Sequence, residues 1–337
     1  MSNATFTEKC LIALAILAGA VLLYSLSHLL LLVFAAVILA TMFCMAQGLI
    51  TQMTALPARF ALPFAILVAL GLLFGILALF GAQIAGELES IQQRLPGALN
   101  AAQAQLDRWG LGAPLRDVME RVSQDASSLL SRAGGYALSA GSGLADLLLI
   151  LIGGIFIAAQ PGLYRKGALA LVPKRGEALA ARALDDSGRA LRLWLRGQLV
   201  SMLAVAVFTG AGLWFLGVPA AVGLALIAGL LDIIPFLGPI IAGLPAVLLA
   251  FTVGPATALW TILLYLVVQQ IQGNILQPMI QKHAVDIPPA LLLFSVGAFG
   301  ILFGMMGVIL AAPLTVVCYV LAQRLYVKAV LGRGRDD

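Results

Sequence analysis

Long apolar segments occupy most of this sequence and limit the folds that it can adopt. A helix needs about 20 mostly apolar residues to cross a bilayer. Segments near or above that length lie at residues 10–26, 28–46, 60–82, 144–160, 198–217, 220–251, 255–277 and 288–323. Only 10% of the 337 residues are charged, whereas a soluble domain carries about 25%. The sequence therefore predicts an all-α polytopic membrane protein with about eight transmembrane helices.

The segment 220–251 is too long for one helix and is interrupted by poor helix formers. Its stretch DIIPFLGPIIAGLP, which begins at Asp232, contains three prolines and two glycines. Hydrocarbon tolerates a broken helix only where protein or water surrounds the free backbone groups. We therefore expect a Pro/Gly-broken re-entrant hairpin over 220–251, with its tip at Ile234–Pro239.

The segment 288–323 is also too long for one helix, and it contains the glycine-rich stretch Gly304–Gly307. A break there lets the segment cross the membrane twice. The alternative is that 220–251 crosses and that 288–303 is the re-entrant segment. The sequence leaves both arrangements open.

Two polar segments separate the apolar ones. Residues 161–197 carry eight basic and three acidic residues, and basic loops stay in the cytoplasm. We predict that 161–197 is a basic cytoplasmic interfacial segment, in which 176–197 lies on anionic lipid; nucleotide or partner binding is the alternative. Residues 83–143 show helical apolar spacing and are predicted as a small extracytoplasmic amphipathic helical hairpin. Its role is packing or oligomer contact, or alternatively ligand capture.

Placing 161–197 in the cytoplasm also assigns the remaining segments of the chain to sides of the membrane. Both termini are then cytoplasmic, and the predicted units are 1–82 with spans 1–3, 144–160 with span 4, 198–325 as a transport core, and a cytoplasmic tail at 326–337.

Polar side chains in the predicted core are the candidates for a transport site. Asp232 lies beside the helix break, and an intramembrane carboxylate is costly unless it pairs or functions. We hypothesise that it exchanges a proton for a cation or solute. Gln270, Asn274 and Gln277 belong to an amide cluster that can bind cations or polyhydroxylated solutes, although a helix end at the membrane surface explains the cluster equally well.

Other classes of protein lack support in the sequence. An ATP-driven pump needs a phosphate-binding G-x-x-x-x-G-K-[ST] loop, and the sequence has none. Asp146 and Asp232 prompt the idea of an intramembrane aspartyl protease, but no motif frames Asp146. His28 and His283 are expected to be loop residues. We therefore expect no enzyme, no cofactor and no metal site, with H⁺ or Na⁺ as the coupling ion.

Several stretches resemble the autoinducer-2 exporter (AI-2E) family of bacterial permeases, among them LRLWLRGQLV, QQIQGNILQPMI and the stretch around Asp232. The resemblance covers roughly residues 160–325. The family's IP-x-x-GP pattern corresponds to Ile234, Pro235, Gly238 and Pro239. Its N-x-x-QP pattern corresponds to Asn274, Gln277 and Pro278. These residues, with Asp232 and Gln270, form the expected substrate or ion pathway.

The resemblance implies an eight-span protein of the bacterial cytoplasmic (inner) membrane that forms homo-oligomers. We expect it to export a small polar solute or signalling molecule, such as one like autoinducer-2, driven by the proton gradient. The alternatives are a sodium(lithium)/proton antiporter and, from another class, a structural or regulatory membrane protein. The expected partners are the lipid bilayer, a small polar solute or monovalent cation, and further copies of the chain, but no nucleic acid.

The loop charges predict an orientation that thiol labelling can check. In a cysteine-free background, a cysteine replacing Gln103 should react with an impermeant thiol reagent added outside intact cells. Cysteines replacing Glu177 or Gly334 should react only after the cells are opened. Labelling of position 177 in intact cells contradicts the orientation.

Overall fold

The computed structural model describes residues 25–54, 60–71, 140–278 and 287–329, together with a few single positions. Every element in these ranges is helical: α1 Ser27–Met53, α2 Phe60–Gly71, α3 Ala140–Ala159, α4 Pro161–Ala170, α5 Glu177–Phe215, α6 Ala221–Leu231, α7 Leu237–Val253, α8 Pro255–Ile271 and α9 Pro289–Ala322. Short π-helical turns follow α8 at Gln272–Leu276 and α9 at Gln323–Lys328. The predicted all-α class is confirmed.

Within the described ranges, α1, α5, α9 and α8 with its π-turn are long and apolar enough to cross a membrane, and the number rises to five if the bent pair α3–α4 is counted as one span. The protein is therefore a multi-pass membrane protein. Most of span 1, the end of span 3, the hairpin 83–143 up to residue 139 and the tail from 330 lie outside the described residues. The total of eight spans stays a prediction.

Helices α1 and α3 run parallel to each other, since their contacts advance in the same direction from His28–Asp146 to Cys44–Ala158. Small residues allow them to pack closely. A Cβ atom added at Gly153 of α3 would lie 3.2 Å from the Cβ of Ala36 in α1. At one end of the pair, Met45 of α1 packs against Leu191 and Leu195 of α5. We call this end, where the segment 161–197 lies, the basic side of the molecule, and the other end the opposite side.

Helix α5 is continuous from Glu177 to Phe215, so it joins the basic segment to a membrane span without a break. The structure differs here from the predicted separate interfacial helix at 176–197. The apolar face of that stretch packs on protein: Ala190 packs against Val316 and Val320 of α9. Apolar periodicity showed that this helix has one buried face, but it could not distinguish a protein surface from a lipid surface.

Helices α6 and α7 form an antiparallel hairpin. The start of α6 packs on the end of α7, where Leu224 and Leu249 share a core cluster, and Ala228 near the end of α6 packs with Ala242 near the start of α7. Helix α6 packs along α5 with small residues at the contact, and a Cβ at Gly210 would lie 3.0 Å from the Cβ of Ala225. The hairpin therefore enters from the opposite side, and its tip points toward the basic side.

Helix α9 folds back on itself at Gly304, which has φ 64° and ψ −148°. A Cβ added at Gly300 would lie 2.9 Å from Val308, and one added at Gly307 would meet the carbonyl oxygen of Phe299. Residues eight apart lie about 12 Å apart along a straight helix. Residues on both sides of the turn, Ile287 and Val320, pack near Ala190 of α5. Segment 288–323 is therefore a second hairpin, which enters from the basic side.

The fold-back at Gly304 predicts a specific cross-link. In a cysteine-free background, cysteines replacing Gly300 and Val308 should form an intramolecular disulfide, because the two positions are in contact. Loss of both free thiols by mass spectrometry is the measurement. The matched control is a cysteine pair at Leu292 and Gly300, which have the same sequence separation on a straight helical stretch and should stay reduced. Equal oxidation of both pairs contradicts the fold-back.

Candidate functional site at the tip of the first hairpin

The turn between α6 and α7 has an unusual backbone conformation, which the prolines and glycine of the turn make possible. Asp232 ends α6, and its N–H donates to the carbonyl of Ala228 over 3.1 Å. Phe236 has φ 65°, a value that non-glycine residues adopt rarely and at a cost in strain. The backbone at Gly238 passes so close to the carbonyl oxygen of Leu231 that there is no room for a side chain. The prolines and Gly238 therefore stop α6 and allow α7 to return beside it.

The carboxylate of Asp232 is enclosed by neutral hydrogen-bond donors from two other helical segments. Gln272, in the π-turn after α8, donates from Nε2 to Asp232 Oδ1 over 2.6 Å and to Ser201 Oγ over 2.9 Å. Gln198 of α5 donates from Nε2 to Asp232 Oδ2 over 3.1 Å and to the Asp232 backbone carbonyl over 2.9 Å. These bonds join the hairpin tip to α5 and to the end of α8.

Asp232 is buried, with 5% of its surface exposed. Among the residues that the structure describes, the ion pairs involve other carboxylates, and no lysine or arginine pairs with Asp232. Burial of a charge in a membrane is costly unless it is balanced. The two amide donors, Gln198 and Gln272, reduce that cost but leave the net charge in place. The site can therefore take up a proton or a cation, either of which would cancel that charge.

A buried acceptor next to the carboxylate strengthens this interpretation. Gln272 Oε1 is buried and has no hydrogen-bond partner among the described residues. A buried amide oxygen without a donor is unfavourable by about 1–3 kcal/mol. Carboxylate and amide oxygens are ligands that hard cations prefer. The group thus offers oxygens to an incoming cation or to the hydroxyl of a polar solute.

The π-turn at Gln272–Leu276 positions Gln272 in this site. A π-helical turn inserts one extra residue per turn and often occurs at functional positions. Gln272 lies across from Ser201 as the chain leaves α8. Gln198 and Ser201 are three residues apart, so they lie on one face of α5.

The structure places the predicted pathway residues in two separate groups. Ile234 and Gly238 are buried at the hairpin tip with Asp232, and Pro235 and Pro239 flank them half-buried. Gln270 and Asn274 lie away from this tip, in a surface groove of about 410 Å³, and Asn274 donates to Gln270 over 3.5 Å. Gln277 and Pro278 follow the π-turn and are exposed.

The partners Gln198 and Ser201 were not predicted, and Gln272 was named only as one member of an amide cluster. A signal was present: Gln198 and Ser201 are polar residues at helical spacing, just inside an apolar run.

The predictions for the two histidines, His28 and His283, can also be compared with the structure. The expectation that His28 is a loop residue is wrong, because it lies in the first turn of α1. Its Nε2 is 3.1 Å from Asp146 Oδ2, where α1 and α3 meet on the opposite side. His283 lies outside the described residues.

A multi-pass helical protein with a buried carboxylate between broken helices has the features of a membrane transporter. The family model of the AI-2E family transporters matches residues 11–326. The chain therefore belongs to the AI-2E transporter family, which confirms the resemblance seen in the sequence.

Curated relatives with transport or permease in their names also match the chain. YrrI of Bacillus subtilis is 36% identical over 148 residues, which are 44% of this chain and 41% of YrrI. PerM of Escherichia coli is 28% identical over 142 residues, which are 42% of this chain and 40% of PerM. The AI-2 transport protein TqsA of Escherichia coli is 24% identical over 229 residues, 65% of this chain and 63% of TqsA. The chain thus aligns with about two fifths of YrrI and PerM.

Removal of the Gln272 amide should destabilise the hairpin tip. Gln272→Ala deletes a bond to a buried carboxylate, and such a bond contributes about 1.5–3 kcal/mol. We expect a lower midpoint in thermal unfolding of the detergent-solubilised protein. The control is Gln270→Ala, which removes the same side chain two residues earlier, in the surface groove, and should leave the midpoint nearly unchanged. Equal shifts in both variants show that the Gln272 contact is not important for stability.

Proposed function

We propose that this transporter exports a small polar solute or signalling molecule, and that protonation of Asp232 drives the movement. The observation that carries the proposal is the buried carboxylate at a helix break, balanced by neutral donors alone among the described residues. TqsA, which aligns with 65% of this chain, is named an AI-2 transport protein. A polyhydroxylated solute of that kind suits a site that offers amides and a carboxylate.

A cycle of protonation follows from the electrostatics of the site. When Asp232 is charged, Gln198 and Gln272 donate to both of its oxygens and hold the hairpin tip against α5 and the π-turn. A proton on the carboxyl group removes the charge that attracts these donors and adds a hydroxyl donor to a site in which Gln272 Oε1 has no partner among the described residues. The two protonation states therefore favour different packing of the tip, and the proton gradient can drive the exchange between them.

Sodium(lithium)/proton antiport is a second candidate, and one observation favours it. The free Gln272 Oε1, the Ser201 hydroxyl and the Asp232 carboxylate together form an oxygen-rich group. Such a group can hold a monovalent cation in place of the proton. In this mechanism, Na⁺ and H⁺ compete for one carboxylate, and no organic solute is needed.

The membrane location, the orientation and the assembly of the chain are part of the same proposal. We place the chain in the bacterial cytoplasmic membrane with its basic side toward the cytoplasm, because the segment 161–197 carries an excess of positive charge. The C-terminal end lies on that side too, since Arg324 pairs with Asp186 over 2.7 Å. We also expect assembly into homo-oligomers. Gln270 and Asn274 lie on a surface that hydrocarbon would solvate poorly, so contact with another copy of the chain would be favourable there.

Asp232→Asn should remove the coupling of transport to the pH gradient. The substitution keeps the shape of the side chain and eliminates its titration, so flux in proteoliposomes should no longer respond to an imposed pH gradient. Flux of autoinducer-2 and of radioactive Na⁺ should be measured in parallel, because the substrate that moves distinguishes the two candidates. The control is Asp146→Asn, which removes a carboxylate on the opposite side and should leave the pH response intact. An unchanged pH response in Asp232→Asn contradicts the coupling role.

A further inference from the structure

Helix α4, Pro161–Ala170, turns sharply away from the membrane span that precedes it. It is bent by 94° from α3 at a break that includes Gln160, and none of its residues is buried. The end of α3 lies at the membrane boundary on the basic side, because Ala158 is next to Cys44 of α1 and the adjacent Met45 packs on Leu191 and Leu195. A helix perpendicular to a span at that level lies along the membrane surface.

One ion pair determines which face of α4 points away from the membrane. Arg165 donates from Nε to Asp185 Oδ1 over 2.8 Å and from Nη2 to Asp185 Oδ2 over 2.7 Å. Asp185 lies six residues before Leu191 in α5, which places it about 9 Å further from the membrane along the helix. Arg165 therefore faces the aqueous side. The same bidentate pairing holds the pKa of the Asp185 carboxyl below its usual range.

The face opposite Arg165 is apolar and exposed. Leu163 precedes Arg165 by two residues, which places it on the far side of a helix with 3.6 residues per turn. Tyr164 and Leu171 lie on adjacent parts of that side, seven residues apart. The exposed fractions are 61% for Leu163, 45% for Tyr164 and 88% for Leu171. These side chains point toward the lipid.

Basic residues flank this apolar face. Lys166 lies within α4, and Lys174 and Arg175 follow it in the turn before α5, all three exposed. Long basic side chains at such positions extend to the headgroup level, where each charge near an anionic surface strengthens binding by about fivefold. An apolar face with flanking lysine and arginine is the pattern of a helix that lies in the membrane interface.

We propose that residues 161–175 form a binding site for anionic phospholipid at the basic side, separate from the transport site. Leu163, Tyr164 and Leu171 enter the boundary between headgroups and acyl chains. Lys166, Lys174 and Arg175 contact the lipid phosphate. The Arg165–Asp185 pair connects the helix to α5, so the lipid contact is joined to the helix that also carries Gln198 and Ser201. The bound phosphate belongs to a membrane lipid and not to a free anion.

The depth of α4 is measured on the full-length protein reconstituted in vesicles. An environment-sensitive fluorophore on a cysteine replacing Leu171, with Cys10, Cys44 and Cys318 replaced by serine, should be quenched by nitroxides on lipid chains. A fluorophore on a cysteine replacing Arg182, an exposed α5 position on the aqueous side, should be quenched instead by aqueous iodide. Iodide quenching of position 171 that equals that of position 182 overturns the proposal.

The lipid preference is measured by electron paramagnetic resonance with spin-labelled phosphatidylglycerol and phosphatidylcholine. Wild type should retain phosphatidylglycerol preferentially, and the double variant Lys166→Gln, Lys174→Gln should weaken that preference by about 25-fold. The control Arg182→Gln, Arg189→Gln removes the same charge from α5 and should have little effect. Equal effects of both pairs, or displacement of the lipid by inorganic phosphate, overturn the proposal. Neither readout depends on transport.

Discussion

The hydrogen bonds around Asp232 are the interactions on which the described core depends. A hairpin of two short helices cannot satisfy its own backbone and charge at the tip, and hydrocarbon offers no partner for either. Gln198 from α5 and Gln272 from the π-turn supply those partners. They hold the tip between two full-length helices. The position of α6 and α7, and the approach of α8 to α5, follow from this contact together with close packing at glycines.

The two hairpins share several features of sequence and backbone. The α6–α7 hairpin turns at Phe236 and the α9 hairpin turns at Gly304, and both residues have positive φ. In each hairpin a proline follows nine residues later, Pro245 and Pro313. The hairpins enter from opposite sides of the molecule. Each turn therefore contains one residue with positive φ, and each needs a glycine, Gly238 or Gly307, where the returning helix leaves no room for a side chain.

The coupling that we propose rests on the contrast between these two turns. The turn at Gly304 follows apolar side chains such as Phe299 and Phe303, whose rings stack with centroids 6.0 Å apart, and the sequence from Phe299 to Val308 contains no charged residue. The turn at Asp232 carries a charge that only neutral donors compensate among the described residues. Packing is insensitive to a proton gradient, whereas a buried charge responds to it strongly. Coupling of transport to protons or cations is therefore expected at the first turn and not at the second.

The sequence alone determined the class of the protein, the breaks in its two long apolar segments and the position of Asp232 beside one of these breaks. These follow from local rules, because apolar length, proline and glycine act on the segment that contains them. The partners of Asp232 depended on the tertiary structure, since Gln198 and Gln272 are 34 and 40 residues away from it in the chain. The same limit applies to 176–197, where periodicity showed an apolar face but not that α9 covers it. Only the folded chain decides which surfaces meet, because that choice depends on how helices distant in sequence pack together.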